Sequence, residues 1–270
     1  MFKDRIILVT GATDGLGRRI AEKLAAPGVH LLVHGRNAVR GKAVVRSIER
    51  AGGSARFFGA DLASLAGVRR LAEAVQAEHA QRDAVVNNAG VAKVGGPRRE
   101  SADGFELRFA VNYPAPFLLT RLLRPRLGAE APSRVVNVIS AAQNPIDFGD
   151  VMLDRSYDGY RAYGQSKLAE VMLTFDLAEE FEGADVTANC LHPASHMDTA
   201  PVRDAGSRPV NSVDAGADAV VALVAKNALT GTTGRYFGGR REARANSQAY
   251  DLDARRRLRT INLGLAELNC

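Results

Sequence analysis

The sequence predicts an α/β protein: one domain built on a single doubly wound parallel sheet of about seven strands, with helices on both faces. Three observations point there. Short apolar runs of strand length alternate along the whole chain with stretches whose apolar residues recur at helical period. The glycines and polar residues able to do chemistry fall repeatedly where a predicted strand ends, which is where open parallel sheets bind ligands. No Pro/Ser-rich linker, repeat or low-complexity block divides the 270 residues, and 46% of them are hydrophobic, enough for a sizeable core. Residues 1–270 are therefore expected to form one domain, with 241–270 as a short basic extension.

The first strand is Ile6-Ile7-Leu8-Val9, a continuous apolar run of the kind buried on both faces. It meets Thr10-Gly11-Ala12-Thr13-Asp14-Gly15-Leu16-Gly17, and a helical pattern follows through Ile20, Ala21 and Leu24. Strand, glycine-rich turn and helix start together make an anion site, because glycines admit a pyrophosphate to the backbone and the helix offers free N–H groups. The second strand, His30 to His34, ends at Gly35-Arg36-Asn37. An acidic residue there would suit the ribose hydroxyl of NAD, and an arginine suits the 2′-phosphate of NADP. No Asp or Glu occurs between Glu22 and Glu49, whereas Arg36 and Arg40 do, so NADP(H) is favoured over NAD(H); Asp14, inside the glycine loop, pulls weakly the other way.

A third unit ends at Phe57-Phe58-Gly59-Ala60-Asp61-Leu62, with Asp61 placed to cap a helix. The fourth strand, Asp83 to Val86, runs into Asn87-Asn88-Ala89-Gly90. Phe105 to Leu123 reads as one long helix holding Asn112 among apolar residues, either as structural glue or as part of a polar network at the site. The fifth strand, Arg134 to Ile139, ends at Ser140; the sixth, Asp185 to Leu191, ends at His192-Pro193; a seventh is centred on Arg235-Tyr236-Phe237. Between the fifth and sixth lies Tyr163-Gly164-Gln165-Ser166-Lys167, opening a helical run through Leu168, Val171, Met172 and Phe175. Positions four apart share a helix face, so a phenol and an ammonium meet there, and the ammonium favours release of the phenol's proton.

Composition bounds the rest. The net charge of +6 is spread over scattered arginines and the cluster Arg255-Arg256-Arg257, read as solvated surface without the aromatic-interleaved stripe of a nucleic-acid binder. Two cysteines, Cys190 and Cys270, provide no disulfide framework and fit a reducing compartment. No apolar run approaches 18 residues and no signal-peptide pattern opens the chain, so a cytoplasmic protein is expected. His192 and His196 lack a third ligand at useful spacing and read as loop and core histidines rather than a metal site.

With these residues in hand, the chain resembles the short-chain dehydrogenase/reductase family over roughly residues 5–240. The resemblance rests on the Thr10–Gly17 loop, Asp61-Leu62, Asn88-Ala89-Gly90, Asn112, Ser140 and Tyr163-x-x-x-Lys167, and its details are most similar to the retinol-dehydrogenase-like branch. It implies a Rossmann-type fold and NADP-dependent interconversion of apolar carbonyls and alcohols, with a dimer or tetramer common. Tyr163 would be the general acid, Ser140 would orient the carbonyl oxygen, Lys167 would hold the nicotinamide ribose, and Asn112 would anchor a water that relays protons to Lys167. Gly11, Thr13, Asp14, Gly15, Leu16, Gly17, Arg36, Asn37, Asp61, Leu62, Asn88, Ala89, Gly90, Pro193 and Thr199, with Tyr163 and Lys167, would line the cofactor. One departure stands out: Pro193-Ala194 replaces the family's Pro-Gly, which bears on the turn there and on Thr199 as a carboxamide contact.

Residues 141–161 and 194–213 are expected to wall the substrate pocket, with Ile146, Phe148, Val151, Met152 and Leu153 making it apolar and Asp147, Asp150 and Asp154 making a charged rim. An idle NADP-binding protein is the rival reading, but such a protein has no need of the Tyr163–Lys167 pair.

Overall fold

The structure is a computed structural model and describes residues 5–79, 83–92, 95–128, 132–199, 202–203, 206, 208–225 and 229–268. In chain order the elements are β1 (Arg5–Val9), α1 (Gly15–Leu24), β2 (Val29–Gly35), α2 (Ala38–Arg50), β3 (Ser54–Gly59), α3 (Leu65–Glu78), β4 (Ala84–Asn87), α4 (Leu107–Asn112), α5 (Pro114–Leu123), β5 (Ser133–Val138), α6 (Gly159–Glu180), β6 (Val186–His192), α7 (Val213–Ala225), β7 (Arg235–Gly238), β8 (Arg241–Ala243) and α8 (Leu252–Leu265). They form a single-domain Rossmann-like fold around one sheet of order β3-β2-β1-β4-β5-β6-β7-β8. The chain winds outward from β1 through β2 to β3, then returns to β4 on the other side. That reversal opens a crevice at the carboxyl ends of β1 and β4.

Side chains leave a strand alternately to its two faces, and the core divides accordingly. Ile7, Val9, Leu31, Val33, Val86, Val136 and Leu191 pack with α1, α2 and α7. Leu8, Leu32, Val85, Val135, Ala188 and Cys190 pack with α3, α5, α6 and α8. This is why the central strands read as unbroken apolar runs.

The sheet carries one strand beyond the seven read from the sequence, and two other expectations are corrected. An eighth strand, β8, pairs antiparallel with β7 across a two-residue turn in which Gly239 takes φ +61°, the positive dihedral a tight hairpin asks of its first turn residue. The helix expected over 105–123 is two helices, because Pro114 lacks an N–H and restricts its predecessor; Tyr113 departs to φ −125°, ψ −63°. Residues 241–268 fold back on the domain: Ala249, Ala254 and Leu258 join the core beside α6. There Arg255, expected in solvent, is buried and paired with Asp176 at 2.6 Å and Glu179 at 2.8 Å. Arg257 lies over the Phe148 ring and donates to the Phe148 carbonyl oxygen at 3.3 Å. Cys270 lies outside the described residues, while Cys190 is buried, its thiol pushed up to about 12 by burial.

Candidate active site

The floor of the crevice is the turn between β1 and α1. Gly11 (φ +64°) and Gly15 (φ +50°) hold a backbone that side chains rarely allow. A Cβ on Gly11 would stand 2.8 Å from the Ala89 Cα, and one on Gly17 would stand 2.2 Å from the Gly11 carbonyl oxygen. The turn is clamped from β4: the Thr10 hydroxyl accepts from the N–H groups of Asn88 and Ala89, both at 3.0 Å, and the Asn88 amide donates back to the Thr10 carbonyl at 2.9 Å. Thr13 rests its side chain on Gly35 at the end of β2. Asp14 caps α1 by accepting from the Gly15 N–H at 2.8 Å and pairs with Arg40 at 2.7 Å. Beyond the cap, the N–H groups of Leu16 and Gly17 meet no partner among the described residues, as the first turn of a helix requires.

A second clamp was missed in the sequence. His34, the penultimate residue of β2, is buried, accepts at Nδ1 from the Gly11 N–H at 3.3 Å and lies 3.2 Å through Nε2 from the Ala60 carbonyl oxygen. One neutral tautomer satisfies both, and burial lowers its pKa to about 4. The available signal was a histidine beside a glycine turn, read only as a strand residue.

Arg36 is exposed at the end of β2, with no ion pair among the described residues, and Asn37 caps α2 by accepting from the Arg40 N–H at 3.0 Å. Asp61 does not cap α3. Ser64 does, while the Asp61 carboxylate accepts from the Ala63 N–H at 3.1 Å and Leu62 turns into the core.

The polar centre lies across the crevice. Asn112 ends α4, fully buried; its Oδ1 accepts from the Val91 N–H at 2.8 Å and its Nδ2 donates to the Ser166 hydroxyl at 2.9 Å. Ser166 in turn donates to the Tyr163 carbonyl oxygen at 2.7 Å. The Asn112 side chain is thus structural glue, yet its own carbonyl lacks the usual donor four residues on, because that residue is Pro116. A Cβ on Gly90 would stand 3.1 Å from the Asn112 Oδ1 and 3.5 Å from the Lys167 Nζ, so glycine lets the β4 turn close over both. Tyr163 is half-buried, with the Lys167 ammonium 6.0 Å from its ring centre. Lys167 donates to the Val138 carbonyl at 3.2 Å, two residues before Ser140, and to the Glu170 carboxylate at 2.5 Å. Burial alone would lower the Lys167 pKa, but Glu170, helped by Tyr163, leaves it raised. Glu170 passed unnoticed in the sequence as one charge in a helix. Ser140, half-buried at the end of β5, accepts from the Ala142 N–H at 3.1 Å.

The flanking segments are tied down. Gly164 closes on Asn144, Asp147 pairs with Arg161 at 2.7 Å, and Gln165 bridges the Asp147 N–H and the Val151 carbonyl. Ile146 and Leu153 are core residues that anchor this segment rather than stand free in a pocket. The rival phenols are accounted for: Tyr157 receives Arg108, and Tyr160 is exposed. On the far side Pro193 is buried and Ala194 has ordinary φ; the left-handed residue is His196, at φ +45°. The Thr199 methyl would lie 3.9 Å from a Cβ on Gly15, which brings this loop over the glycine turn. Of the 194–213 segment, residues 200–201, 204–205 and 207 lie outside the described residues. His192 bonds Ser195 at 3.0 Å, and among the described residues no group of three His, Cys, Asp or Glu is placed to hold a metal ion.

A family model described as short chain dehydrogenase matches residues 5–208. The chain belongs to that family. Within it the chain falls in the retinol-dehydrogenase-like branch. It is 35% identical to mouse (Mus musculus) retinol dehydrogenase 13, over 98% of this chain and 84% of the relative, and 39% identical to mouse polyprenol dehydrogenase, over 94% and 81%. Among solved structures, an uncharacterised protein from Mycobacterium paratuberculosis superposes with TM-score 0.81 at 28% identity, covering 99% of this chain and 95% of the other. The Pseudomonas aeruginosa RhlG/NADP active-site complex superposes with TM-score 0.72 at 27% identity, covering 87% and 94%. No helix among the described residues is long and apolar enough to cross a membrane.

Proposed function

We propose that this family member is an NADP(H)-dependent oxidoreductase that interconverts apolar ketones or aldehydes and their alcohols, with Tyr163 as general acid and base. The observation that carries the reading is the convergence of Tyr163, Lys167, Asn112 and Gly90 at the ends of β4 and β5, facing a glycine turn whose helix N–H groups are open. The residues present suit a dinucleotide: the Leu16 and Gly17 N–H groups would hold a pyrophosphate, Arg36 would hold a 2′-phosphate, and Thr199, which lies near Gly15, would be a carboxamide contact. The nicotinamide, when bound, supplies or accepts the hydride. Tyr163 delivers the proton to the carbonyl oxygen in reduction and removes it in oxidation. The Ser140 hydroxyl orients that oxygen, and the Lys167 ammonium holds the ribose and stabilises the phenolate that reduction leaves. Support for an apolar substrate comes from the relatives named for retinol and polyprenol, and from Phe148, Val151 and Met152 in the flanking segment.

The test is NADPH oxidation against a panel of apolar ketones and aldehydes, with retinal and a polyprenal included. Replacing Tyr163 by Phe is expected to lower turnover at least about a hundredfold, the range for a lost general acid, while NADPH binding persists. Equal turnover in Tyr163→Phe would remove Tyr163 from the mechanism; no turnover in either protein alongside intact NADPH binding would favour an idle nucleotide-binding protein.

A further inference from the structure

One buried charge that the proposed mechanism does not use lies a single helical turn from Lys167: Glu170. Its side chain is 1% exposed, one carboxylate oxygen lies 2.5 Å from the Lys167 Nζ, and the other has no hydrogen-bond partner among the described residues. Lys167 spends a second donor on the Val138 carbonyl at 3.2 Å, so two of its three N–H bonds go to groups other than Tyr163. The ionisable groups around the carboxylate are few. Lys167 and then Tyr163 lie on the same helix, Cys190 faces it from β6, and Tyr236 on β7 lies beyond Cys190. From α4 the approach is through a neutral group, Asn112, whose amide donates to Ser166.

We infer that Glu170 is a positioning residue for Lys167: it holds the ammonium from behind and sets, through the charge of that pair, the pH at which Tyr163 changes from proton donor to proton acceptor. This rests on the reading of Tyr163 as the acid–base group. The underlying physics is electrostatic. With Glu170 ionised, the Lys167–Glu170 pair is neutral, and removing a proton from Tyr163 leaves a net negative charge in a poorly solvated pocket. With a neutral group at 170, the same step ends in a neutral phenolate–ammonium pair. A carboxylate behind the lysine therefore opposes phenolate formation and extends the pH range in which the phenol can donate. Burial raises Glu170 to about 7, against the pull of Lys167, so the control itself weakens as pH falls.

The experiment is the pH profile of kcat/KM for reduction and for oxidation in the wild type, Glu170→Gln and Glu170→Asp, with NADPH affinity measured by fluorescence. In Glu170→Gln the limb that reports the Tyr163 proton is expected to move to lower pH by about one unit, roughly the effect of removing one nearby buried charge. A shift of the same sign is expected in both directions, because one phenol donates the proton in reduction and accepts it in oxidation. Glu170→Asp keeps the charge and should keep the limb near its wild-type position, so it serves where the glutamine variant fails to fold. A limb that stays put or rises in Glu170→Gln, or one that moves equally in Glu170→Asp, overturns the inference while leaving Tyr163 in place. A wild type without such a limb would instead sink the acid–base reading of Tyr163, and the inference with it.

Discussion

His34 links the nucleotide turn to the end of β3, and the link has a pH signature. In the fold the imidazole is neutral, accepting from the Gly11 N–H and reaching the Ala60 carbonyl oxygen; its pKa falls from 6.5 to about 4 because it is buried. In the unfolded chain it protonates below its ordinary value of about 6.5. The unfolded state therefore binds more protons between pH 6.5 and 4, and stability is full above that window and drains away as pH falls through it. A difference of roughly 2.5 units corresponds to about 3 kcal/mol once both states are protonated, of which about 2 kcal/mol is already lost at pH 5. Glu170 runs the other way: its pKa, raised to about 7, makes the fold hold a proton that the unfolded chain releases, so its penalty grows as pH rises from the ordinary carboxylate range towards 7. A raw pH–stability curve thus mixes opposing slopes. Urea unfolding of wild type and His34→Asn at pH 7.5 and pH 5 separates them, because asparagine can keep a donor and an acceptor without titrating. The wild type is expected to lose about 2 kcal/mol more than the variant between those pH values. Equal losses would mean that His34 carries no proton linkage and that the bridge to Gly11 is absent in solution.

Two further outcomes test the nucleotide turn. Gly11→Ala puts a Cβ 2.8 Å from the Ala89 Cα at a backbone φ of +64°, so it should cost about 2 kcal/mol or more of stability and at least tenfold in NADPH affinity, read by thermal unfolding and by fluorescence titration; an unaffected alanine variant would show that the turn is not held as described. Arg36→Ala should weaken NADPH about ten- to hundredfold, the worth of a charge-assisted contact to phosphate, and leave NADH within about threefold; parallel losses would place the 2′-phosphate elsewhere.

Much of this was legible in the sequence, and the omissions have physical causes. The central strands declared themselves because burial on both faces demands unbroken apolar runs such as Leu31-Leu32-Val33. β8 could not, because Arg241, Glu242 and Ala243 are all exposed and carry no hydrophobic pattern. The break between α4 and α5 was hidden by apolar periodicity that continues across Tyr113, although Pro114 marks it. Arg255 was misread because a basic cluster looks solvated until Asp176, 79 residues away in sequence, is seen to neutralise it. Spacing alone placed Lys167 beside Tyr163, but only coordinates show the ammonium drawn back towards Glu170. The same limit applies to His34, whose partners Gly11 and Ala60 belong to two other turns.

Several buried polar residues outside the motifs share a role, which is to tie strand ends and the helix behind them to one another. Asn87 donates to Asn137 at 2.8 Å and to Thr120 at 3.2 Å; Asn137 donates to Thr174 at 2.8 Å; and Thr174 donates to the Glu170 carbonyl oxygen at 2.8 Å. This buried line runs from β4 through β5 into α6 and ends one turn from Lys167. Each asparagine interrupts an apolar strand, a cost that a purely structural sheet would avoid by placing valine there. Here the amides do what valine cannot: they set the height of α6 against β5, and with it the reach of Lys167 to the Val138 carbonyl. Together with the Thr10–Asn88 and Gly11–His34 clamps, they hold the two walls of the crevice at a fixed separation. Under the proposed mechanism, in which a phenol and a hydride donor must meet one carbonyl, that separation has to be settled in advance, because correct placement of reacting groups supplies a large share of a rate enhancement.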